Sequence, residues 1–86
     1  MTTGYLDVQA VRDDDRAPAS ATTLVRLLAL LPPDWSCTEA IGPNWIRLRI
    51  ALTAPADEAT ARGAVRATLA DPALRGWRLT GLRTAA

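Results

Sequence analysis

The feature that most constrains the fold of this 86-residue chain is a strict alternation of side chains between Trp45 and Leu52. Every second residue is large and apolar, and a second set, with two arginines at its centre, alternates with them. The apolar set is Ile46, Leu48, Ile50 and Leu52, and the alternating set is Trp45, Arg47, Arg49 and Ala51. A strand with this period buries one face and leaves the other in solvent. The rest of the chain must therefore cover one side of a sheet.

Three further segments have strand character. Tyr5 to Val11 alternates between apolar and polar residues, Trp35 to Ile41 precedes the turn sequence Gly42-Pro43-Asn44, and Trp77 to Arg83 follows Gly76. The second and third strands should form a hairpin, because only a short turn separates them.

Two helices are predicted between the strands. Ser20 is a candidate N-cap for the first, whose apolar stripe has helical spacing and which Pro32-Pro33 ends. Asp57 is a candidate N-cap for the second, after a short connection from Thr53 to Ala56. Gly63 lies inside that helix, where close approach to a strand would justify it. The stripe of the first helix is Leu24, Leu27, Leu28 and Leu31; the buried face of the second is Ala61, Ala64, Val65, Thr68 and Leu69.

The order β-α-β-β-α-β is that of a ferredoxin-like α+β two-layer sandwich. We expect a four-stranded antiparallel sheet with two helices on one face, the first and third strands parallel to each other at its centre, and the other two strands at the edges. Residues 1–86 form a single domain, with 1–4 and 84–86 as frayed ends. The alternative is a small α+β fold with an irregular last strand, since Leu79 and Leu82 cannot share a face without a bulge. The expected buried set is Leu6, Val8, Leu24, Leu28, Ile46, Leu48, Ile50, Val65, Leu69 and Leu79.

Two hairpin registers are possible. With Pro43 and Asn44 as the central turn residues, Cys37 faces Ile50 and Glu39 lands opposite a core leucine. With a three-residue loop, Glu39 instead pairs with Arg47 on the open face. We favour the first register because it faces Trp35, Cys37 and Ile41 inward, and burying apolar side chains contributes more than an exposed ion pair.

Composition excludes most catalytic chemistry. The chain has no histidine and a single cysteine, Cys37, so it lacks a histidine base, a histidine metal ligand and a CxxC site. Asp13, Asp14 and Asp15 are consecutive and lack the spacing of a calcium loop, so they are expected to form a solvated loop. We therefore expect no enzyme activity, no catalytic residues, no metal and no cofactor.

The net charge and the hydropathy of the chain restrict the partners and the location that we expect. Ten basic residues, all arginine, oppose nine acids for a net charge of +1, which makes nucleic acid an unlikely partner. No segment has the length and hydropathy of a membrane span, and a single thiol suits a reducing compartment, so a cytoplasmic location is expected. Only 24 of the 42 residues classed as hydrophobic are large, because 17 are alanine and one is Cys37, and this thin core favours self-association.

The open face of the sheet is the candidate site. Arginines beside aromatic rings can hold a carboxylate, a base or a partner protein. The alternative is a solvated surface on which Asp7 simply pairs with a neighbouring arginine. The predicted partner-binding residues are Tyr5, Asp7, Gln9, Trp45, Arg47, Arg49 and Arg78, with Thr80 beside them.

This sequence lacks the functional motifs of the known families with this layout. The first loop has neither the CxxC of copper chaperones nor the anion cradle of acylphosphatases, and Arg47 and Arg49 stand where RNA-recognition domains need stacking aromatics. We therefore expect a small non-catalytic binding module that associates with itself as a homodimer, or with another protein, through the open face or an edge strand. ACT-like small-molecule sensing is the first alternative, and RNA or DNA binding the second.

Overall fold

A computed structural model describes residues 4–53 and 57–85. It contains four strands and two α-helices, and a short 3-10 turn at Pro72–Leu74 precedes the last strand. In chain order the elements are β1 (Gly4–Arg12), α1 (Ser20–Leu30), β2 (Cys37–Ile41), β3 (Trp45–Leu52), α2 (Asp57–Leu69) and β4 (Trp77–Ala85). Gly4, Thr84 and Ala85, which the sequence placed in frayed ends, belong to β1 and β4. Residues 54–56 of the predicted connection lie outside the described residues.

The strands form one sheet in the order β2-β3-β1-β4. All three neighbouring pairs are antiparallel, which confirms a small α+β fold with a four-stranded antiparallel sheet. The prediction that β1 and β3 run parallel was wrong. Helix α1 carries the chain across the sheet so that β2 runs in the direction of β1, and the hairpin then reverses β3.

One face of the sheet carries the core, and both helices contribute to it. Six of the ten residues expected to be buried are fully buried, and the other four are half-buried. Leu27 lies deeper than Leu24 and Leu28, so the predicted stripe of α1 is correct but is centred on Leu27. Leu74 in the 3-10 turn is also fully buried, and the sequence pattern gave no sign of this.

The hairpin adopts the favoured register. Cys37 is opposite Ile50, Glu39 is opposite Leu48, and Ile41 is opposite Ile46. Glu39 is nevertheless exposed, because β2 is the edge strand and the helices do not cover it. Trp35 precedes β2 rather than lying within it, and its half-buried side chain packs against the core.

Strand β4 contains the bulge that Leu79 and Leu82 require. Its pairing with β1 shifts by one residue, since Gln9 is opposite Gly81 while Ala10 is opposite Leu79. Thr80 is the extra residue, and its hydroxyl donates to the Gln9 carbonyl at 3.2 Å. The bulge lets Leu79 and Leu82 both pack against the core.

Two local predictions were wrong. Ser20 is not an N-cap: α1 is preceded by Ala19, and the buried Ser20 hydroxyl donates to the carbonyls of Gly42 and Pro43, which ties the hairpin turn to the helix. Gly63 does not approach a strand, because a Cβ there would meet no atom within 4 Å. Its place in α2 has no packing reason.

Candidate functional site

The register of the sheet places the polar side chains of its open face in rows. Because facing residues of neighbouring strands share one side of a sheet, Thr38, Arg49, Asp7 and Arg83 form one row, from β2 to β4. The next row contains Ala40, Arg47, Gln9 and Gly81. These rows, together with Val8, Glu39 and Leu48, line a shallow groove of about 580 Å³.

Asp7 and Arg49 form the main ion pair of this face. The Arg49 Nε and Nη2 groups donate to the two carboxylate oxygens of Asp7 at 2.7 and 3.0 Å. This fork geometry holds the pKa of Asp7 below its usual value, chiefly through the hydrogen bond, while slight burial acts in the opposite direction. The nearby charges of Arg49 and Arg83 lower the pKa further. The single carboxylate of these rows is thus already neutralised within the chain.

The two aromatic rings of the face lie under guanidinium groups. The Arg49 guanidinium carbon is 4.9 Å from the centre of the Tyr5 ring, and that of Arg47 is 5.0 Å from the centre of the Trp45 ring. Both distances are within the range of cation–π attraction. Each ring is therefore already in contact with a guanidinium group of its own chain.

Gly42 positions the Trp45 ring. A Cβ at Gly42 would overlap the Trp45 indole nitrogen, so the ring packs directly on the turn backbone. The Gly42 amide also donates to the Trp45 carbonyl at 3.0 Å, which closes the hairpin. The turn thereby fixes the platform on which Arg47 rests.

The register places all seven predicted partner-binding residues on this face: Tyr5, Asp7, Gln9, Trp45, Arg47, Arg49 and Arg78. Tyr5 lies at one end, and Trp45 and Arg78, which are both opposite Val11, lie at the other. Arg78 forms a 3.6 Å ion pair with Asp13. Thr80 occupies the bulge instead of a regular position in the rows.

Arg83 belongs to the face but was not predicted. Regular alternation from Trp77 would turn Arg83 toward the helices, and the extra residue in β4 reverses this by placing Arg83 opposite Asp7. The signal was present in the sequence, because a bulge that puts Leu79 and Leu82 on one face also puts Arg83 on the other. Arg83 and Arg47 make no ion pair in residues 4–53 and 57–85.

The acidic loop is held by arginines and backbone. Arg12 donates from Nη2 to the carbonyls of Asp15 and Ala17, and Asp14 accepts the amide of Arg16 at 2.9 Å. Among the residues that the structure describes, no group of three or more acidic or cysteine side chains is placed to bind a metal ion.

Cys37 lacks the environment of an activated thiol. Partial burial, together with the nearby charge of Glu39, raises its pKa. A nucleophilic cysteine needs a lowered pKa, which keeps its thiolate populated. Cys37 instead packs as a small apolar side chain at the margin of the core.

Comparison with known proteins gives no relative: no family model, no curated protein and no solved structure matches this chain. Neither helix of the described segments has the length and apolar character needed to cross a membrane.

Proposed function

We propose that this chain is a non-catalytic protein-binding domain of ferredoxin-like type whose open sheet face docks an acidic segment of another protein. The fold assignment is supported by two β-α-β units, each with a third, antiparallel strand between its parallel strands. The binding assignment is carried by one observation, the gathering of Arg47, Arg49 and Arg83 around a single aspartate.

Charge on this face favours an acidic partner. Three arginines and one aspartate give the two rows a net charge of +2, and Glu39, which also lines the groove, leaves the groove as a whole at +1. Arg49 is paired with Asp7, whereas Arg47 and Arg83 have no acidic partner in the described residues. A carboxylate of a partner protein could pair with Arg47 or Arg83, because guanidinium groups bind carboxylates in fork geometry.

The net positive charge of this face argues against its docking on the same face of a second copy. A face-to-face dimer would oppose two positively charged surfaces, and the Asp7 carboxylate that could relieve this is already bonded to Arg49. Like-charge juxtaposition is costly at an interface. Nucleic acid is also disfavoured, because both aromatic rings of the face, on which a base could stack, already contact a guanidinium group of the chain.

The test is binding of a labelled peptide of alternating glutamate and leucine, followed by fluorescence anisotropy and by amide NMR shifts. We expect the shifts to map to β1, β3 and the end of β4. Replacing Arg47 and Arg83 together by glutamine should weaken binding about tenfold, or about 1.4 kcal/mol. The matched control replaces two exposed arginines elsewhere, Arg66 and Arg75, and should leave affinity nearly unchanged.

Two outcomes would contradict the proposal. Equal weakening by the control pair would indicate attraction to net charge rather than to this face. A single-stranded oligonucleotide of equal charge that binds more tightly than the peptide, with affinity falling steeply as salt rises, would place nucleic acid first.

A further inference from the structure

The outer edge of β2 is an unpaired strand edge. Two hydrogen bonds show which opposite residues of the hairpin form hydrogen-bonded pairs. The Gly42 amide donates to the Trp45 carbonyl, and the Ala51 amide donates to the Ser36 carbonyl. Even-numbered residues of β2 therefore bond to β3, and the main-chain groups of Cys37, Glu39 and Ile41 point away from the sheet. No group in the described part of the chain bonds to them.

Helix α1 extends this edge with an uncharged surface. Arg26 is its only charged residue, and it donates to the Ala73 carbonyl on the flank that faces the 3-10 turn. The flank turned away from Arg26 presents small or apolar residues, including Ala21 and Val25. Three large apolar side chains among the described residues are exposed: Val25 at 68%, Leu30 at 43% and Ile41 at 42%. Ile41 lies on β2 and Val25 on the flank turned away from Arg26, whereas Leu30, four residues after Arg26, lies on the flank that faces the 3-10 turn.

We propose that β2 pairs with β2 of a second copy of this chain, so that two four-stranded sheets join into one eight-stranded sheet. Antiparallel pairing of two identical edges has a two-fold axis perpendicular to the sheet. Both copies of α1 then lie on the same side, where their uncharged flanks approach each other. The two basic faces lie side by side on the opposite side, so this dimer goes beyond the proposed function and leaves that surface free.

A second copy suits this edge because the edge is self-complementary. The outward donors and acceptors of Cys37, Glu39 and Ile41 match those of the same strand turned by two-fold symmetry. The α1 flanks match because both are apolar and neither carries a charge that needs a partner.

Glu39 restricts the register of this dimer. An axis through Glu39 would place the two Glu39 side chains directly opposite each other, which is unfavourable for like charges. An axis at Thr38 or Ala40 pairs Glu39 with Cys37 or Ile41 of the other copy instead. Glu39 therefore selects between registers, which gives a role to an acid that the hairpin pattern left unexplained.

Sedimentation velocity and hydrogen exchange of the full chain test the proposal. We expect a dimer at about 100 μM, the range of an association free energy near 5.5 kcal/mol. The amides of Cys37, Glu39 and Ile41 should become more protected as concentration rises, whereas those of Thr38 and Ala40 should be protected throughout. No other edge should show this dependence on concentration.

Two substitutions break the interface in different ways. Glu39→Pro removes an outward amide that β3 does not use, so the variant should be monomeric yet retain its hairpin. Val25→Lys places a charge on the α1 flank and should raise the dissociation constant at least about tenfold. Ala67→Lys, which adds the same charge at an exposed site on α2, is the matched control and should leave the dimer intact. Circular dichroism checks that each variant is folded.

The proposal is overturned by a wild-type chain that stays monomeric at this concentration. It is equally overturned by a dimer that persists in both Glu39→Pro and Val25→Lys. Dissociation by Trp45→Asp alone would assign the dimer to the open face instead, which would also contradict the proposed function. Failure of the acidic peptide to bind, with an intact β2 dimer, would reject the proposed function alone.

Discussion

The two edges of the sheet differ in how they are closed. At β4, Arg62 reaches down from α2 and donates to the Leu82 carbonyl at 3.1 Å and to the Thr84 hydroxyl at 2.8 Å. Thr84 in turn donates to Glu58. One outward carbonyl of β4 is therefore bonded by a side chain of α2, whereas no described side chain bonds to the outward edge of β2.

The difference comes from the composition of the covering helices. Helix α2 carries Glu58 and Arg62 four residues apart, so their charged ends can extend over the strand beside them. Helix α1 has no such pair, and its single arginine reaches the 3-10 turn instead. The bulge at Thr80 further distorts the β4 edge, and bulges of this kind discourage pairing with other chains. Protection is therefore concentrated at one edge, and association is expected at the other.

The largest expected effect is from Ile50→Ala. Ile50 is fully buried under the β2 edge, opposite Cys37, and truncating it leaves a cavity. We expect a loss of about 2 to 5 kcal/mol in the free energy of unfolding, measured by urea denaturation. Amide exchange should accelerate most in β2, because β3 is its only neighbour. A uniform acceleration across β4 as well would show that the two edges are not independent.

Arg62→Ala opens the protected edge. It removes the donor to the Leu82 carbonyl and should cost about 1 to 3 kcal/mol, as expected for a hydrogen bond to a charged group. The pKa of Glu58, which is lowered first by its bond from Thr84 and then by that from Arg62, should rise toward its usual value. Carbon-detected NMR titration measures this rise. Arg66→Ala, one turn further along α2, is the control and should move neither quantity.

Gly63→Ala tests the difference between the two edges by stabilising α2, the helix that covers β4. The site is exposed and open, and alanine is favoured over glycine inside a helix by about 1 kcal/mol. We expect a higher melting temperature with no change in dimerisation. Gly42→Ala, near the β2 edge, should lower the melting temperature, because its methyl group would displace the Trp45 indole. Stabilisation by both substitutions would contradict this account of the turn.

The smallest effect concerns pH. Because the folded pKa of Asp7 lies below its unfolded value of 3.8, the Asp7–Arg49 pair stabilises the fold above that value and is lost as pH falls through the folded pKa. Asp7→Asn should therefore lower stability slightly at neutral pH, where the pair is intact in the wild type, and so flatten the acid limb of the stability curve. A Glu58→Gln variant provides the same comparison at the β4 edge. An unchanged acid limb in Asp7→Asn would show that this exposed pair is fully screened.

Local sequence patterns were sufficient to predict the structure of segments in which one periodicity dominates. The alternation from Trp45 to Leu52 predicted β3 within its observed bounds, and the preference for facing Trp35, Cys37 and Ile41 inward predicted the hairpin register. The alternation of β1 and β3 is also sufficient to place Tyr5, Asp7 and Arg49 on one face. The bulge was foreseen only as an alternative, so Arg83 was missed, because one extra residue reverses the side on which every later side chain lies.

The sequence by itself determined the number and order of the elements, the inward face of each central strand and the absence of histidine chemistry, since these depend on residue type and spacing alone. Tertiary structure decided the direction of β1 relative to β3, the burial of Leu74, the tether from Ser20 to the turn, and the contrast between the two edges. Each of these depends on which distant segments meet, and a periodicity within one segment carries no information about that. Whether Arg62 reaches β4 is set by how α2 crosses the sheet, just as the open β2 edge follows from where α1 lies.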